Sequence, residues 1–306
     1  MLHVLGSIEG AEDATDIRAR TLKGLRMSVE NESPPVALTV AGFDPSGGAG
    51  IIADVKTFTA FGCFAAAAVT SLTFQNTSGV FGAAHQSAET LRAQVVAVVE
   101  DFKVAGAKTG MLPTREIIAE VASLFRAGRL PAPVVDPVIR STSGYDLIDA
   151  AALDALKSEL LPLARIVTPN LPEAEALTGL KIRDEQGMVA ATRALFDAGA
   201  RAVLVKGGHL SGKAVDVLLD ESGEIKTFVA ERVETTSTHG TGCTLSAAIA
   251  ACLARGMNLE DSVGAAKRFV TDAIKRAPRL GQGKGPVNHA VVARFQTRGR
   301  TDNRTP

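Results

Sequence analysis

Short apolar runs alternate with longer segments of helical period from residue 37 onward. We interpret the apolar runs as strands buried on both faces of a sheet, at residues 37–42, 66–72, 104–110, 133–138, 164–170 and 202–208. Between them, hydrophobic residues recur at helical spacing in segments 50–62, 87–102, 115–128, 149–161 and 185–200. This alternation is typical of a mainly parallel sheet covered by helices, which predicts the α/β class.

The pattern changes after the last buried run. Two apolar segments, 214–220 and 225–231, are separated by a short polar loop that carries Gly223. We predict an antiparallel hairpin at the edge of the sheet. Two more helices are expected at about 243–254 and 259–275.

We predict one domain. No internal repeat and no linker interrupts residues 37–277, so the domain is placed at 36–292. Residues 1–35 have no sustained period and are read as a tail that is disordered or extraneous, and 293–306 as a polar C-terminal tail. Met27 opens an ordinary start for the segment that follows, which raises the hypothesis that translation begins there.

Composition excludes several classes of protein. Lys and Arg number 33 and Asp and Glu also 33, so no basic excess favours nucleic acid or anionic lipid. Three cysteines without a C-x-x-C pair support neither a zinc ribbon nor a disulfide scaffold, and they favour the cytoplasm. Apolar stretches such as Leu245 to Ala254 are shorter than the roughly 20 residues of a membrane span. The first residues do not resemble a secretory signal.

Two matches to nucleotide-binding fingerprints are rejected. Residues 48–53 fit G-x-G-x-x-A, but five residues separate them from the first strand, and no acidic residue ends the second strand. Residues 207–213 fit G-x-x-x-x-G-K, yet Ala214 stands where a magnesium-binding hydroxyl is needed. The glycines of loop 42–50 still allow its backbone to approach a ligand closely.

The segment 239–244, HGTGCT, precedes an apolar helix. Small residues at a helix start leave backbone N–H groups directed at one spot, where the helix dipole adds positive charge. We predict an anion hole there, with the thiolate of Cys243 favoured as a base or nucleophile. A glycine-rich turn with a small buried thiol is the alternative. Cys63 and Cys252 are interpreted as core residues.

Polar residues follow other strands at the sheet edge where ligands bind in open parallel sheets. Asp136 and Glu173 are candidate magnesium carboxylates, although Glu173 also fits as a charge at a helix start. Lys206 would lie near phosphates, or it is merely solvated. Gln75 and Asn76 would hydrogen-bond a heterocycle, or they are turn residues. Together these parts suit phosphoryl transfer.

The motifs also carry a resemblance. AGFDPSGGAGIIADVKTFTAFG, FQNTSGV, KTGM, DPV, VTPNLPEAEALTG, VKGGH, STHGTGCTLSAAIA and a closing GKGPVNH occur in this order from about Ala37 to His289. The sequence resembles the hydroxymethylpyrimidine/phosphomethylpyrimidine kinases of thiamin biosynthesis, members of the ribokinase-like superfamily. The resemblance implies a three-layer α/β/α sandwich with an antiparallel edge hairpin. It also implies a kinase that uses ATP and Mg²⁺ and is often a homodimer.

The resemblance further implies two phosphorylations of 4-amino-5-hydroxymethyl-2-methylpyrimidine, first to the monophosphate and then to the diphosphate. The implied site residues fall into four groups. They are Gln75, Gly42, Asp44, Ala49, Met111 and Val138 for the pyrimidine, Asn170, Lys206, Thr236 and Thr238 for the nucleotide, Asp136 and Glu173 for the metal, and Gly240, Thr241, Gly242, Cys243 and Lys206 for catalysis. Sugar kinases of the superfamily have an aspartate as base in place of Cys243. A thiolate there could accept the hydroxyl proton, and because transfer to a phosphate needs no such proton removal, Cys243 is expected to matter most for the first phosphorylation.

Two other functions remain open at this point. A pyridoxal kinase is the nearest rival, because its substrate is also a hydroxymethyl-bearing aromatic heterocycle, but Cys243 and the segment 75–77 favour the pyrimidine. A non-catalytic pyrimidine sensor would keep the pocket and lose the anion hole or the carboxylates, and all of these are present. Thr73 is polar where an apolar pocket wall is expected, and it is predicted to influence substrate preference.

Overall fold

The computed structural model describes residues 33–141, 144–208, 210 and 212–294. All of its helices and strands lie between Val36 and Lys275. The predicted N-terminal tail up to residue 32, Met27 included, and the C-terminal tail from residue 295 lie outside the described residues.

One sheet of nine strands forms the centre of the described part of the chain. Its strands are β1 (Val36–Phe43), β2 (Phe64–Asn76), β3 (Gly79–His85), β4 (Val104–Thr109), β5 (Val134–Val135), β6 (Ile166–Val167), β7 (Val203–Lys206), β8 (Ala214–Leu219) and β9 (Ile225–Ala230). Their order is β3-β2-β1-β4-β5-β6-β7-β8-β9. The six strands from β2 to β7 in this order are parallel, and β3, β8 and β9 pair antiparallel at the two edges.

Helices cover both faces of the sheet. They are α1 (Gly50–Ala60), α2 (Ala88–Asp101), α3 (Arg115–Arg126), α4 (Ala150–Ala155), α5 (Leu171–Thr178), α6 (Glu185–Asp197), α7 (Thr241–Ala254) and α8 (Leu259–Lys275). A first hydrophobic cluster contains residues of α2, α3, α4, α5 and α6, and a second contains residues of α1, α7 and α8. Each cluster packs on one face of the sheet, so the predicted three-layer α/β/α arrangement is confirmed.

The six predicted buried strands, the edge hairpin and the seven predicted helices are all present. The prediction for β2 was too short, because this strand continues to Asn76 with alternating exposed residues that pair with β3. Sequence reasoning missed β3 itself, and it gave no bounds for α5 beyond the possible helix start at Glu173. The helix predicted at 149–161 is shorter as an α-helix, because a π-helical turn begins at Leu156.

The chain order places a switch point at the carboxyl ends of β1 and β4. From β1 the chain passes to β2 on one side and later returns to β4 on the other. Loops that leave the sheet in opposite directions open a crevice at such a point, and ligands bind there in open α/β sheets. Within the described residues no helix is long and apolar enough to cross a membrane.

Candidate active site

A cavity of about 1130 Å³ opens along the carboxyl ends of the parallel strands. Sixteen residues were predicted for the site, and fourteen of them line this cavity. They are Gly42, Ala49, Gln75, Met111, Asp136, Val138, Asn170, Glu173, Lys206, Thr238, Gly240, Thr241, Gly242 and Cys243. The remaining two, Asp44 and Thr236, do not. Most of the predicted residues therefore line one continuous cavity, and two of them lie outside its lining.

The N-terminus of α7 lies in the middle of this cavity. Gly240 precedes the helix with φ +79°, and no side chain caps the first turn. The leading N–H groups of such a turn have no partner within the helix, and the dipole favours an anion before them. A Cβ on Gly240 would collide with the carbonyl oxygen of Gly48, so the close approach of these two loops requires glycine. The predicted anion hole has this geometry.

A buried ion pair stands beside the anion hole. Lys206 Nζ lies 2.9 Å from Asp136 Oδ1, and a Cβ on Gly242 would be 3.2 Å from that ammonium. Ser246 and Thr168 also donate to the Asp136 carboxylate. Burial raises the pKa of Asp136, but Lys206 and Lys108 outweigh it and hold the pKa below its usual value. The pair therefore stays ionised, with its ammonium facing the helix start.

Asn170 and Glu173 form a capping box at the start of α5. Asn170 Oδ1 accepts from the Glu173 N–H at 2.9 Å, and Glu173 Oε2 accepts from the Asn170 N–H at 2.8 Å. Burial raises the pKa of Glu173 to about 7, although Lys206 opposes the shift. The structural reading of Glu173 as a helix-start residue is thus correct, and both residues also line the cavity.

One end of the cavity is small and mainly apolar. Gly42 and Met111 are in contact there, since a Cβ on Gly42 would come 2.9 Å from the methionine sulfur. Gln75 offers an amide at this end, and Val138 completes the wall. Thr73 also lines it, but its hydroxyl donates to the Phe43 carbonyl at 2.8 Å. Because that hydroxyl is already bound to a backbone carbonyl, the wall stays mainly apolar there. A flat heterocycle with one polar edge therefore suits this end.

The opposite end lies between β7, β8, β9 and α8. Apolar side chains such as Val233, Val270 and Ile274 line it. Asp216 and Lys267 form a second buried ion pair there, 2.6 Å apart, and the other Asp216 oxygen accepts from the Gly207 N–H. Sequence reasoning missed this pair. The arrangement gives an apolar slot that ends in polar groups, separated from the heterocycle end by the anion hole.

Asp44, predicted for the substrate pocket, does not line the cavity and is held by its own loop. Its two oxygens accept from the N–H and hydroxyl of Ser46, the N–H of Ala49 and Nε2 of His239, all within 2.8 Å. Burial raises the pKa of Asp44, but His239 and Ser46 more than offset it and hold the pKa below its usual value. Asp44 therefore ties the glycine-rich loop to the residue that precedes Gly240.

Thr236 lines a neighbouring cavity of about 500 Å³ instead of the main one. Gln75, His239 and Lys284 border both cavities. His239 was part of a quoted motif but had no role in the sequence prediction. The sequence signal for this residue was its position directly before Gly240. In the structure its hydrogen bond with Asp44 holds two loops together.

The expected thiolate at Cys243 is not supported. Burial raises the pKa of this thiol to about 11; Lys108 lowers it, while Asp136 and Asp54 raise it further. At neutral pH the group in the ligand-free site is therefore a thiol. The helix start alone does not overcome the loss of hydration. Cys63 and Cys252 are buried, as predicted for core residues.

Comparisons with known proteins agree with this geometry. The chain matches the family model described as phosphomethylpyrimidine kinase over residues 44–288. It is 49% identical over 258 residues to a hydroxymethylpyrimidine/phosphomethylpyrimidine kinase from Rhizobium meliloti, covering 83% of this chain and 96% of that protein. It is 48% identical over 257 residues to the thiamine biosynthesis bifunctional protein ThiED from Geobacter sulfurreducens. That match covers 84% of this chain and only 52% of the relative's length.

Solved structures of two kinases share the fold. A phosphomethylpyrimidine kinase from Clostridium difficile superposes with a TM-score of 0.70 at 40% identity, over 78% of this chain and 99% of that one. An ADP complex of pyridoxal kinase from Bacillus subtilis gives a TM-score of 0.77 at 38% identity, over 84% of this chain and 98% of that one. Kinases for two different heterocycles are thus similar to this chain.

Proposed function

The chain belongs to the phosphomethylpyrimidine kinase family, and on that premise we propose that it carries out the two phosphorylations of thiamin biosynthesis. It is a phosphotransferase of the ribokinase-like fold that uses ATP. The first step joins the γ-phosphoryl group of ATP to the hydroxymethyl oxygen of 4-amino-5-hydroxymethyl-2-methylpyrimidine. The second joins another phosphoryl group to the monophosphate.

The single observation that carries this proposal is the continuity of the cavity across the start of α7. The heterocycle end lies on one side of the anion hole and the apolar slot on the other. An acceptor and a nucleotide bound at these two ends would meet at the uncapped helix start. Phosphoryl transfer depends mainly on such positioning and on neutralisation of charge.

The residues at the meeting point have distinct tasks. The oxygen of the acceptor attacks the γ-phosphorus while the bond to the ADP oxygen breaks. The N–H groups at Gly242 and Cys243 would stabilise the equatorial oxygens of the transferring group, and Lys206 would add a positive charge. The proton of the hydroxymethyl group has to leave in the first step only, since the monophosphate presents an oxygen that is already ionised.

Magnesium is the expected companion of ATP. Asp136 and Glu173 are both buried oxygen donors at the cavity wall, which fits an ion held by one or two carboxylates together with waters and substrate phosphates. Among the described residues no group of three or more metal-ligating side chains is found. The ion would neutralise charge on the phosphates.

A coupled assay with Mg²⁺-ATP tests the proposal. The purified protein receives hydroxymethylpyrimidine, its monophosphate or pyridoxal, and ADP release and product mass are followed. Turnover of both pyrimidines with little on pyridoxal is expected. Turnover of pyridoxal alone would mean that the protein acts as the second candidate, a pyridoxal kinase, which the likeness to the Bacillus subtilis enzyme favours. Absence of turnover with all three compounds would favour the non-catalytic pyrimidine sensor.

A cytoplasmic location and a homodimer complete the proposal. The three cysteines are free, which suits a reducing compartment. Phe74 and Phe81 are exposed on β2 and on the edge strand β3, where a second copy would cover them. Sedimentation of the purified protein tests the dimer, and a monomer across the accessible concentrations would contradict it.

A further inference from the structure

A lysine and an aspartate are buried together beneath the heterocycle end of the cavity. Lys108 on β4 and Asp54 on α1 are fully inaccessible to solvent, and Lys108 Nζ lies 2.8 Å from Asp54 Oδ2. The Thr39 hydroxyl donates to the same oxygen at 2.7 Å. Within the described residues the other oxygen, Oδ1, has no hydrogen-bond partner. None of the functions considered above uses this pair.

Such a pair is a poor way to stabilise a fold. Removing two charges from water costs more than their attraction returns unless every polar atom is satisfied, and here one carboxylate oxygen is not. Well-packed hydrophobic residues of similar volume are often at least as stable in place of a buried ion pair. Stability therefore does not explain why a charged pair occupies this position.

The location of the pair offers an explanation. Lys108 borders the main cavity, and so does Cys243, which follows the anion hole. A Cβ on Gly110 would come 2.8 Å from Lys108 Nζ, so the lysine side chain points toward the carboxyl end of β4, where the site lies. Burial would lower the pKa of Lys108, but Asp54 outweighs it and keeps the ammonium charged.

We propose that Lys108 is a positioning residue for the first phosphoryl transfer: anchored by Asp54, its ammonium acts through Cys243 as a fixed positive charge behind the acceptor hydroxyl. This inference rests on the proposed function. As the hydroxymethyl oxygen bonds to the γ-phosphorus and the bond to ADP breaks, its proton passes to the thiolate form of Cys243. A preorganised ammonium in a water-poor site favours that form without rearrangement. Lys108 does not need to contact the substrate for this effect.

The charged groups around Cys243 come from several elements. Lys108 on β4 lowers the pKa of the thiol, while Asp54 on α1 and Asp136 after β5 raise it. Lys206 at the end of β7 is also in electrostatic reach of the thiol. Replacement of Lys108 and Asp54 together removes the ammonium and the weaker opposing effect of the carboxylate on the thiol. The net change disfavours negative charge at Cys243.

The test uses the full chain with Lys108→Met and Asp54→Leu combined, so that no buried charge is left alone. A matched control, Lys267→Met with Asp216→Leu, removes a different buried lysine–aspartate pair, which faces the nucleotide end. Alkylation of Cys243 by iodoacetamide at pH 8.5 reports thiolate without any turnover, and Cys243→Ser supplies the background from Cys63 and Cys252. The kcat and KM of the hydroxymethylpyrimidine reaction are measured in parallel.

We expect the Lys108/Asp54 variant to melt at the wild-type temperature or above it. Alkylation of Cys243 should slow at least about threefold, equivalent to a rise of about half a pKa unit. The kcat of the first step should fall at least about tenfold while both KM values stay within about twofold. The control pair should leave the alkylation rate unchanged. If circular dichroism shows the variant unfolded, Lys108→Met with Asp54→Asn takes its place, since the amide still accepts from Thr39.

Three results would overturn the inference. Wild-type kcat in the variant would make the pair merely structural. A lower kcat with an unchanged alkylation rate would mean that Lys108 does not act through Cys243. Slower alkylation with wild-type kcat would mean that the reactivity of the thiol is irrelevant to transfer. If the wild-type enzyme does not phosphorylate the pyrimidine, the proposed function fails, and the alkylation rates still decide whether Lys108 acts on Cys243.

Discussion

The two ends of α7 offer a controlled test of the anion hole. Gly240 precedes the helix with φ +79°, and Gly256 follows it with φ +80°. An alanine at either position adopts a left-handed conformation, which costs about 1–2 kcal/mol. The surroundings differ, because a Cβ at Gly256 meets nothing within 4 Å, whereas one at Gly240 collides with the Gly48 carbonyl.

The loop that carries Gly48 has little freedom to move away. The N–H of the next residue, Ala49, donates to Asp44, which also holds His239. In Gly240→Ala the start of α7 therefore shifts instead. A misplacement of about 1 Å at a reacting centre costs on the order of 100-fold in rate. We expect Gly240→Ala to lose about that factor in kcat, while Gly256→Ala stays within about twofold of wild type.

ADP release with hydroxymethylpyrimidine measures kcat, and urea unfolding measures the free energy of unfolding of both variants. Both should lose about 1–2 kcal/mol, with the larger loss for Gly240→Ala. A kcat of Gly240→Ala within about threefold of wild type, or an equal loss of activity in Gly256→Ala, would refute the role of this helix start.

Substitutions at three other residues test further parts of the site. Cys243→Ala should slow transfer to the hydroxymethyl oxygen by about tenfold or more and leave transfer to the monophosphate within about twofold, both followed by ADP release; equal losses would contradict its role in the first step. Burial lowers the pKa of His289 from 6.5 to about 4. The unfolded chain therefore binds the extra proton, and stability falls by up to about 3 kcal/mol on acidification between these values. His289→Gln should reduce this fall, measured as the difference between the free energies of unfolding in urea at pH 7.5 and pH 5. An equal fall in wild type and variant would refute the prediction. Asp44→Asn should raise the KM for the pyrimidine several-fold although Asp44 does not line the cavity. An unchanged KM would mean that the hydrogen bonds of Asp44 to its loop and to His239 do not position the site.

Periodicity predicted the central strands and the long helices because burial decides those segments. The bounds of α8 coincide with the prediction, since its apolar residues repeat along one face. Periodicity did not predict β3, whose sequence GVFGAAH contains two glycines and no alternation of apolar and polar residues. This strand exists through its pairing with the half-exposed end of β2, which is a tertiary effect. Only the possible helix start at Glu173 was predicted for α5, because eight residues with a proline give too short a pattern to set bounds.

A charged residue in an apolar pattern was the sequence signal that went unused. Lys108 stands in a run predicted to be buried on both faces, and Asp54 stands in the apolar helix α1. Either residue alone implies a buried partner of opposite charge. Their pairing was beyond sequence reasoning, because 54 positions separate them. Thr39, which pairs with Lys108 across β1 and β4, also donates to Asp54.

Polarity at the ends of strands predicted where the site lies better than what each residue does there. Gln75, Asp136 and Lys206 lie at or directly after the carboxyl ends of strands that meet at one edge, so topology alone brings them to the cavity. The hydrogen-bond partners of polar residues near the site were not predicted in the same way. Asp44 has both oxygens occupied by the loop and His239, and the Thr73 hydroxyl is bound to a backbone carbonyl. A polar side chain near a site is free for a ligand only when the local backbone does not use it, and that depends on loop geometry that sequence spacing does not determine.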